Sequence, residues 1–111
     1  MLFTFINVKL LIMNIHSYEC MRSDDQLKAW ILDKLKRHRC IGGKHTEDKN
    51  VRKGAPPMYY KKIDDLLERL IKKDRLIMAT GKVHERHISL HPRLLGEIDS
   101  FVRQHYVKAI F

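Results

Sequence analysis

The stretch from Ala55 to Arg93 constrains the fold of this chain more than any other, because three kinds of local structure follow one another in it without a linker. Ala55-Pro56-Pro57 is a rigid elbow: proline fixes φ, and the residue before a proline avoids the helical region. Pro57 or Met58 opens the next helix. From there Tyr59, Ile63, Leu66, Leu67, Leu70 and Ile71 make one wide apolar stripe, which predicts a helix to about Lys73. Its opposite face carries Lys61, Asp65, Glu68 and Lys72, in opposite-charge pairs four residues apart. Gly81 then marks a hairpin turn between Leu76–Thr80 and His84–Leu90. Alternation puts Ile88 and Leu90 on one face and His87 and Ser89 on the other, so Leu76, Met78, Ile88 and Leu90 are expected to hold the hairpin to the core. Pro92 starts a last helix whose apolar face is Leu94, Leu95, Ile98, Phe101 and Val102, extended by His105.

Upstream of the elbow the pattern is again helical. Ser23 or Asp24 is the expected N-cap of an amphipathic helix from Asp24 to about Arg39, with Leu27, Trp30, Ile31 and Leu35 on its buried face and Gly42-Gly43 as its stop. Trp30 is read as packing. Ile41 to His45 is expected to be a short extended piece, after which Thr46 caps a second, shorter helix over Glu47 to Lys53, closed by Gly54. The predicted class is mainly α with a small β-hairpin, an α+β arrangement. At 111 residues the chain fits one domain, assigned to 22–111.

Residues 1–21 stand apart. "MLFTFINVKLLIMNI" is apolar but is interrupted by Lys9 and is shorter than the roughly 20 residues of a membrane helix. It lacks a basic leader and a small-residue cleavage motif. Two readings are open: a short strand or sticky tail, or translation from an upstream start, with Met13 or Met21 as the alternative. No membrane association is expected.

Charge narrows the function. The chain has 22 Lys and Arg against 13 Asp and Glu, a formal +9, and the segment from Lys34 to Lys62 alone holds ten basic residues against two acidic ones. A local balance of +8 points to an anionic partner. Cys20 and Cys40 belong to no CxxC pair and are read as free thiols in a reducing cytoplasm. Of the seven histidines, His84, His87 and His91 cluster in "HERHISLH". On a strand His84 and His87 point to opposite faces, and no Cys or carboxylate completes a tetrahedral set, so no metal is expected. There is no phosphate loop or nucleophile elbow, and Cys40 is near His38 and His45 in sequence only. The acid, base and oxyanion donors of an active site cannot be named, so neither an enzyme nor a cofactor is expected.

The order helix, short strand, short helix, Pro elbow, helix, hairpin, helix resembles the winged-helix family, a helix-turn-helix variant with an appended hairpin, over about residues 24 to 105. "KHTEDKNVRKGAPP", "KKDRLIM" and "HISLHPRLL" further resemble small, mostly archaeal winged-helix proteins without an assigned role. The resemblance implies a division of labour. Met58, Tyr60, Lys61 and Lys62 would begin the recognition helix, Lys44, Thr46, Lys49, Arg52 and Lys53 would contact phosphate, and Lys82, His84 and Arg86 would form the wing. Asp64, Asp65 and Glu68 would repel phosphates along that helix, so end-on insertion or phosphate affinity without much sequence selectivity is expected.

Two functions therefore compete. The first is a nucleic-acid-binding protein, duplex DNA before RNA, in transcriptional regulation or the maintenance of a mobile element. The second is a protein-interaction module on the same fold, since fold alone does not choose. Oligomeric state is left open: the last helix with Phe101, Val102 and Tyr106, followed by the apolar end "VKAIF", needs either self-packing or a partner, a homodimer seam being one candidate.

Overall fold

A computed structural model describes residues 23–82 and 85–111; the apolar segment 1–21 and His84 lie outside them. The first helix, α1 (Asp24–Arg37), begins at Ser23, whose hydroxyl accepts from the Gln26 amide (3.1 Å) while the Gln26 side chain accepts from the Ser23 amide (2.9 Å). This reciprocal box satisfies two donors that a helix start otherwise leaves open. Ala29 and Leu32 are buried along with Leu27, Trp30, Ile31 and Leu35, a wider face than one stripe, because α1 packs against both later helices.

The end of α1 differs from the expectation. Gly42-Gly43 does not stop it; Arg39, at φ 58°, does. The amides of Arg39 and Cys40 bond back to the carbonyls of Lys36 (3.0 Å) and Leu35 (2.9 Å), the paired bonds of a Schellman stop, and buried Cys40 packs in the core with Leu35. A left-handed arginine is tolerated because the terminal carbonyls gain donors.

After the stop, Ile41 bridges Leu90, and the strand proper is β1 (Thr46–Glu47). Thr46 is thus a strand residue rather than a helix cap. Its hydroxyl accepts from the Asn50 side chain (2.9 Å). The expected second α-helix is a 3-10 turn, Asp48–Arg52. Its first residue is pinned from outside: the Asp48 amide donates to the Arg86 carbonyl (2.9 Å), and five residues between that anchor and Gly54 suit a tight turn.

The elbow behaves as its prolines require. Pro57–Tyr59 forms one 3-10 turn that feeds α2 (Tyr60–Lys72), whose Ile63, Leu66, Leu67 and Leu70 are buried. Arg75, at φ 57°, reverses the chain, and the Leu76 amide bonds to the Leu70 carbonyl (3.0 Å). Strands β2 (Ile77–Thr80) and β3 (His87–Leu90) form the hairpin, and β1 adds to the free side of β3, giving the antiparallel order β1-β3-β2.

Register corrects one expectation about the hairpin. Ile77 pairs with Leu90 and Ala79 with Ile88, so Ile77, not Met78, supplies the inward residue at 2% exposure. Leu76 is buried at the helix exit, which starts the strand one residue later and inverts its alternation. Ser89 faces away from Ile88 yet is buried, because the Gly42 loop covers it and accepts its hydroxyl (2.9 Å).

Pro92–Leu94 forms a final 3-10 turn leading into α3 (Leu95–His105), which buries Ile98 and rests Leu94, Leu95, Phe101 and Val102 against the core. The apolar end folds back on its own chain. Ile110 is buried, and Phe111 meets Trp30 edge-on (5.1 Å, 87°) and Tyr59 (5.1 Å). Of the two alternatives for the apolar end, self-packing or a partner, Ile110 and Phe111 take self-packing within the monomer, and Trp30 is a packing residue.

Candidate nucleic-acid interface

The 3-10 turn Asp48–Arg52 divides the basic segment into two surfaces of different character. On the α2 side lies a cavity of about 280 Å³ lined by Asp48, Asp64, Asp65 and Glu68 together with Lys49, Arg52 and Arg86. Four carboxylates face three cations there, and most of these cations are already partnered. Arg52 reaches Asp64 (3.5 Å) and lies over the Tyr60 ring (5.0 Å), while Lys49 pairs with Glu47 (3.1 Å). Beyond the cavity, Lys62 pairs with Asp24 (3.0 Å), which also meets Arg69 (3.3 Å). The Lys62 hydrogen bond is the main reason the Asp24 carboxyl is held below its usual range.

Arg86 is the clearest departure from the sequence reading. The hairpin turns it inward rather than to the tip: at 8% exposure it bonds Asp48 (3.5 Å) and Glu68. Burial opposes its charge, but the two carboxylates outweigh burial and hold the guanidinium more firmly protonated. Glu68 is correspondingly held below the carboxylate range, first by Arg86 and then by Lys72, the partner expected four residues on (3.2 Å). Arg86 thus clamps the hairpin's second strand to α2 and to the 3-10 turn. It is not a surface contact.

On the α1 side of the turn the lining changes. A cleft of about 600 Å³ opens between the end of α1, the loop to β1 and the 3-10 turn; among the described residues it is lined by Lys34, His38, Lys44, His45 and Lys53, with Thr46 and Asn50 beside them and no acidic residue. Leu35, Cys40 and Val51, all buried, form its floor. The Lys34 ammonium donates to the carbonyls of Val51 (3.2 Å) and Lys53 and sits 5.1 Å from the Trp30 ring centroid. Burial, followed by the charges of Arg37 and Lys53, pushes its pKa down. Neither Lys44 nor Lys53 pairs with a carboxylate among the described residues. Burial raises the Cys40 thiol, which donates to the His38 carbonyl (3.7 Å) rather than to an imidazole.

The sequence-selected residues therefore separate. Lys44, Thr46 and Lys53 meet in the cleft; Lys49, Arg52, Lys62 and Arg86 are matched by carboxylates. Met58, 77% exposed, and Lys61 project at the start of α2, with Tyr60 half-buried beneath Arg52. Lys82 is exposed at the hairpin turn. The cleft also brings in Lys34, His38 and His45, which the sequence does not mark as site residues. Lys34 and His38 lie four apart on one helix face, a spacing visible in sequence, but their approach to Lys53 is a product of the turn.

No family model matches the chain, and neither does any curated protein or solved structure. Among the described residues no helix is long and apolar enough to cross a membrane, and no three His, Cys, Asp or Glu side chains converge as metal ligands.

Proposed function

We propose that this chain is a winged-helix protein that binds nucleic acid, duplex DNA before RNA, mainly through phosphate contacts, in transcriptional regulation or the maintenance of a mobile element. The observation that carries the reading is the basic cleft beside the 3-10 turn, which no carboxylate lines among the described residues. The element order supports the fold assignment, with the hairpin as wing and α2 as the helix next to it. A duplex approached from the cleft side meets Lys44, Lys53, His38 and His45, with Lys61 and Met58 available at the start of α2. Neutralising phosphates with lysines releases counterions, and three such contacts give a log–log salt slope of about −3.

Fluorescence anisotropy with a generic duplex across a salt series tests this. Binding should weaken steeply with salt, and Lys44→Glu with Lys53→Glu should flatten the slope by about two. Arg52→Gln should change it little, since Asp64 already answers that charge. Absence of duplex binding at low salt would refute the reading.

The second reading, a protein-interaction module, is favoured by the opposite surface. The outer side of α2 with Asp64, Asp65 and Glu68 repels a phosphate backbone and suits a mixed-charge protein partner.

A further inference from the structure

The cleft is concave, whereas a duplex backbone is convex and can touch only the rim. We propose that the cleft between α1 and the 3-10 turn is a single-nucleotide pocket, taking a phosphate monoester that carries a planar ring. The source is either a free nucleoside monophosphate or the phosphorylated end of a strand; only the second source rests on the nucleic-acid reading above.

Size, charge and floor each support this occupant. At about 600 Å³ the cleft lies within the range of pockets that enclose small ligands, roughly 300–1,000 Å³. Three lysines and two histidines, with no carboxylate among the described residues, exceed what one diester anion needs, and a monoester carries about −1.5 to −2 charge near neutrality. Lys34 is pre-positioned: two of its three donors are fixed on the Val51 and Lys53 carbonyls, and one is left for an incoming oxygen. Lys44 and Lys53 stand exposed at the rim, where their flexible ammonium groups can close over the phosphate. Below them the cleft bottoms on Leu35, Cys40 and Val51, which carry no charge, and its sides include the apolar stems of Lys34, Lys44 and Lys53, so a ring seated there meets carbon rather than a competing ion. Asn50 uses one amide hydrogen on Thr46 and keeps a donor and an acceptor for a base edge.

The test is calorimetric titration of the full chain with adenosine 5′-monophosphate, adenosine and inorganic phosphate. The monophosphate is expected to bind about tenfold or more tightly than either fragment, because ring and phosphate each contribute and charged hydrogen bonds are strong. Lys44→Gln, an exposed change, should weaken it about tenfold. Lys34→Met, which keeps the apolar stem over Trp30, should weaken it at least as much; a thermal melt checks that it folds. Short oligonucleotides with a 5′-phosphate or a 5′-hydroxyl separate the two sources: a phosphate-dependent gain assigns the strand end, and tight monophosphate binding without that gain assigns the free nucleotide. If neither the monophosphate nor the phosphorylated end binds more tightly than its phosphate-free counterpart, or if Lys44→Gln changes nothing, the pocket assignment is overturned. Salt-dependent binding of a closed circular duplex, which has no ends, is scored separately, so the phosphate-backbone reading survives or falls on its own.

Discussion

Replacing Arg86 by alanine removes the common partner of two carboxylates on different elements. Glu68, its side chain 33% exposed, keeps Lys72 at 3.2 Å and loses little. Asp48, its side chain 11% exposed, has Arg86 as its only ion-pair partner among the described residues and is left as an uncompensated buried charge. Breaking a buried pair from one side costs about 3–5 kcal/mol, and with one orphan rather than two the lower end applies, about 3 kcal/mol. In urea this moves the unfolding midpoint down by about 3 M at an m-value near 1 kcal/mol/M, read by Trp30 fluorescence with m unchanged. Adding Asp48→Asn to Arg86→Ala neutralises the orphan and should recover about 1–2 kcal/mol. Acid provides a second readout. Because Arg86 lowers the Glu68 carboxyl, Glu68 contributes stability that is fully present above its unfolded pKa, about 4.3, and is lost as pH falls through the lower folded value. The decline in stability below about pH 4.3 should therefore be shallower in Arg86→Ala than in the parent protein. A loss under about 1 kcal/mol, the level of an exposed pair, would refute the clamp and return Arg86 to the hairpin's outer surface.

Three further substitutions probe other parts of the fold. Arg39→Gly relieves a left-handed non-glycine residue, worth about 1–2 kcal/mol, against an entropic cost of about 0.5–1 kcal/mol; a net gain and a melting temperature about 4 °C higher are expected, and an unchanged melt would contradict the Schellman stop. Ser23→Ala should cost about 1 kcal/mol in denaturant titration through loss of the capping box, whereas Asp25→Ala, one turn position away and outside that box, should cost less. Phe111→Ala removes two ring contacts and should cost about 1–2 kcal/mol with a red shift of Trp30 emission. That loss should be independent of protein concentration; a concentration-dependent one would place Phe111 in a dimer seam instead.

The helices and the hairpin were legible because each carries its own signal. The stripe from Tyr59 to Ile71, the Ser23 cap, the Pro56-Pro57 elbow and Gly81 act over a few residues, so neighbouring sequence is enough to read them. Register was less legible. Whether Ile77 or Met78 faces inward depends on where the chain leaves α2, and that is settled by one backbone bond from Leu76 to Leu70 and the left-handed Arg75. After Thr46 the local sequence favours an α-helix, with Glu47 and Asp48 as first-turn acids; a strand pairing with Ile88 and His87 and an anchor on Arg86 override that local preference.

By itself the sequence determined an α+β chain with a hairpin behind an amphipathic helix, and a positive charge concentrated between Lys34 and Lys62. It did not determine which of those charges are available. Net charge is a sum over residues and is insensitive to arrangement, whereas availability depends on which carboxylate each cation meets. Asp24 meets Lys62, Asp48 and Glu68 meet Arg86, and Asp64 meets Arg52, partners 12 to 38 residues apart in sequence that come together only when α1, α2, the 3-10 turn and the hairpin pack. That packing cancels one side of the basic segment and leaves the other, around Lys34, Lys44 and Lys53, with no acid to answer it among the described residues.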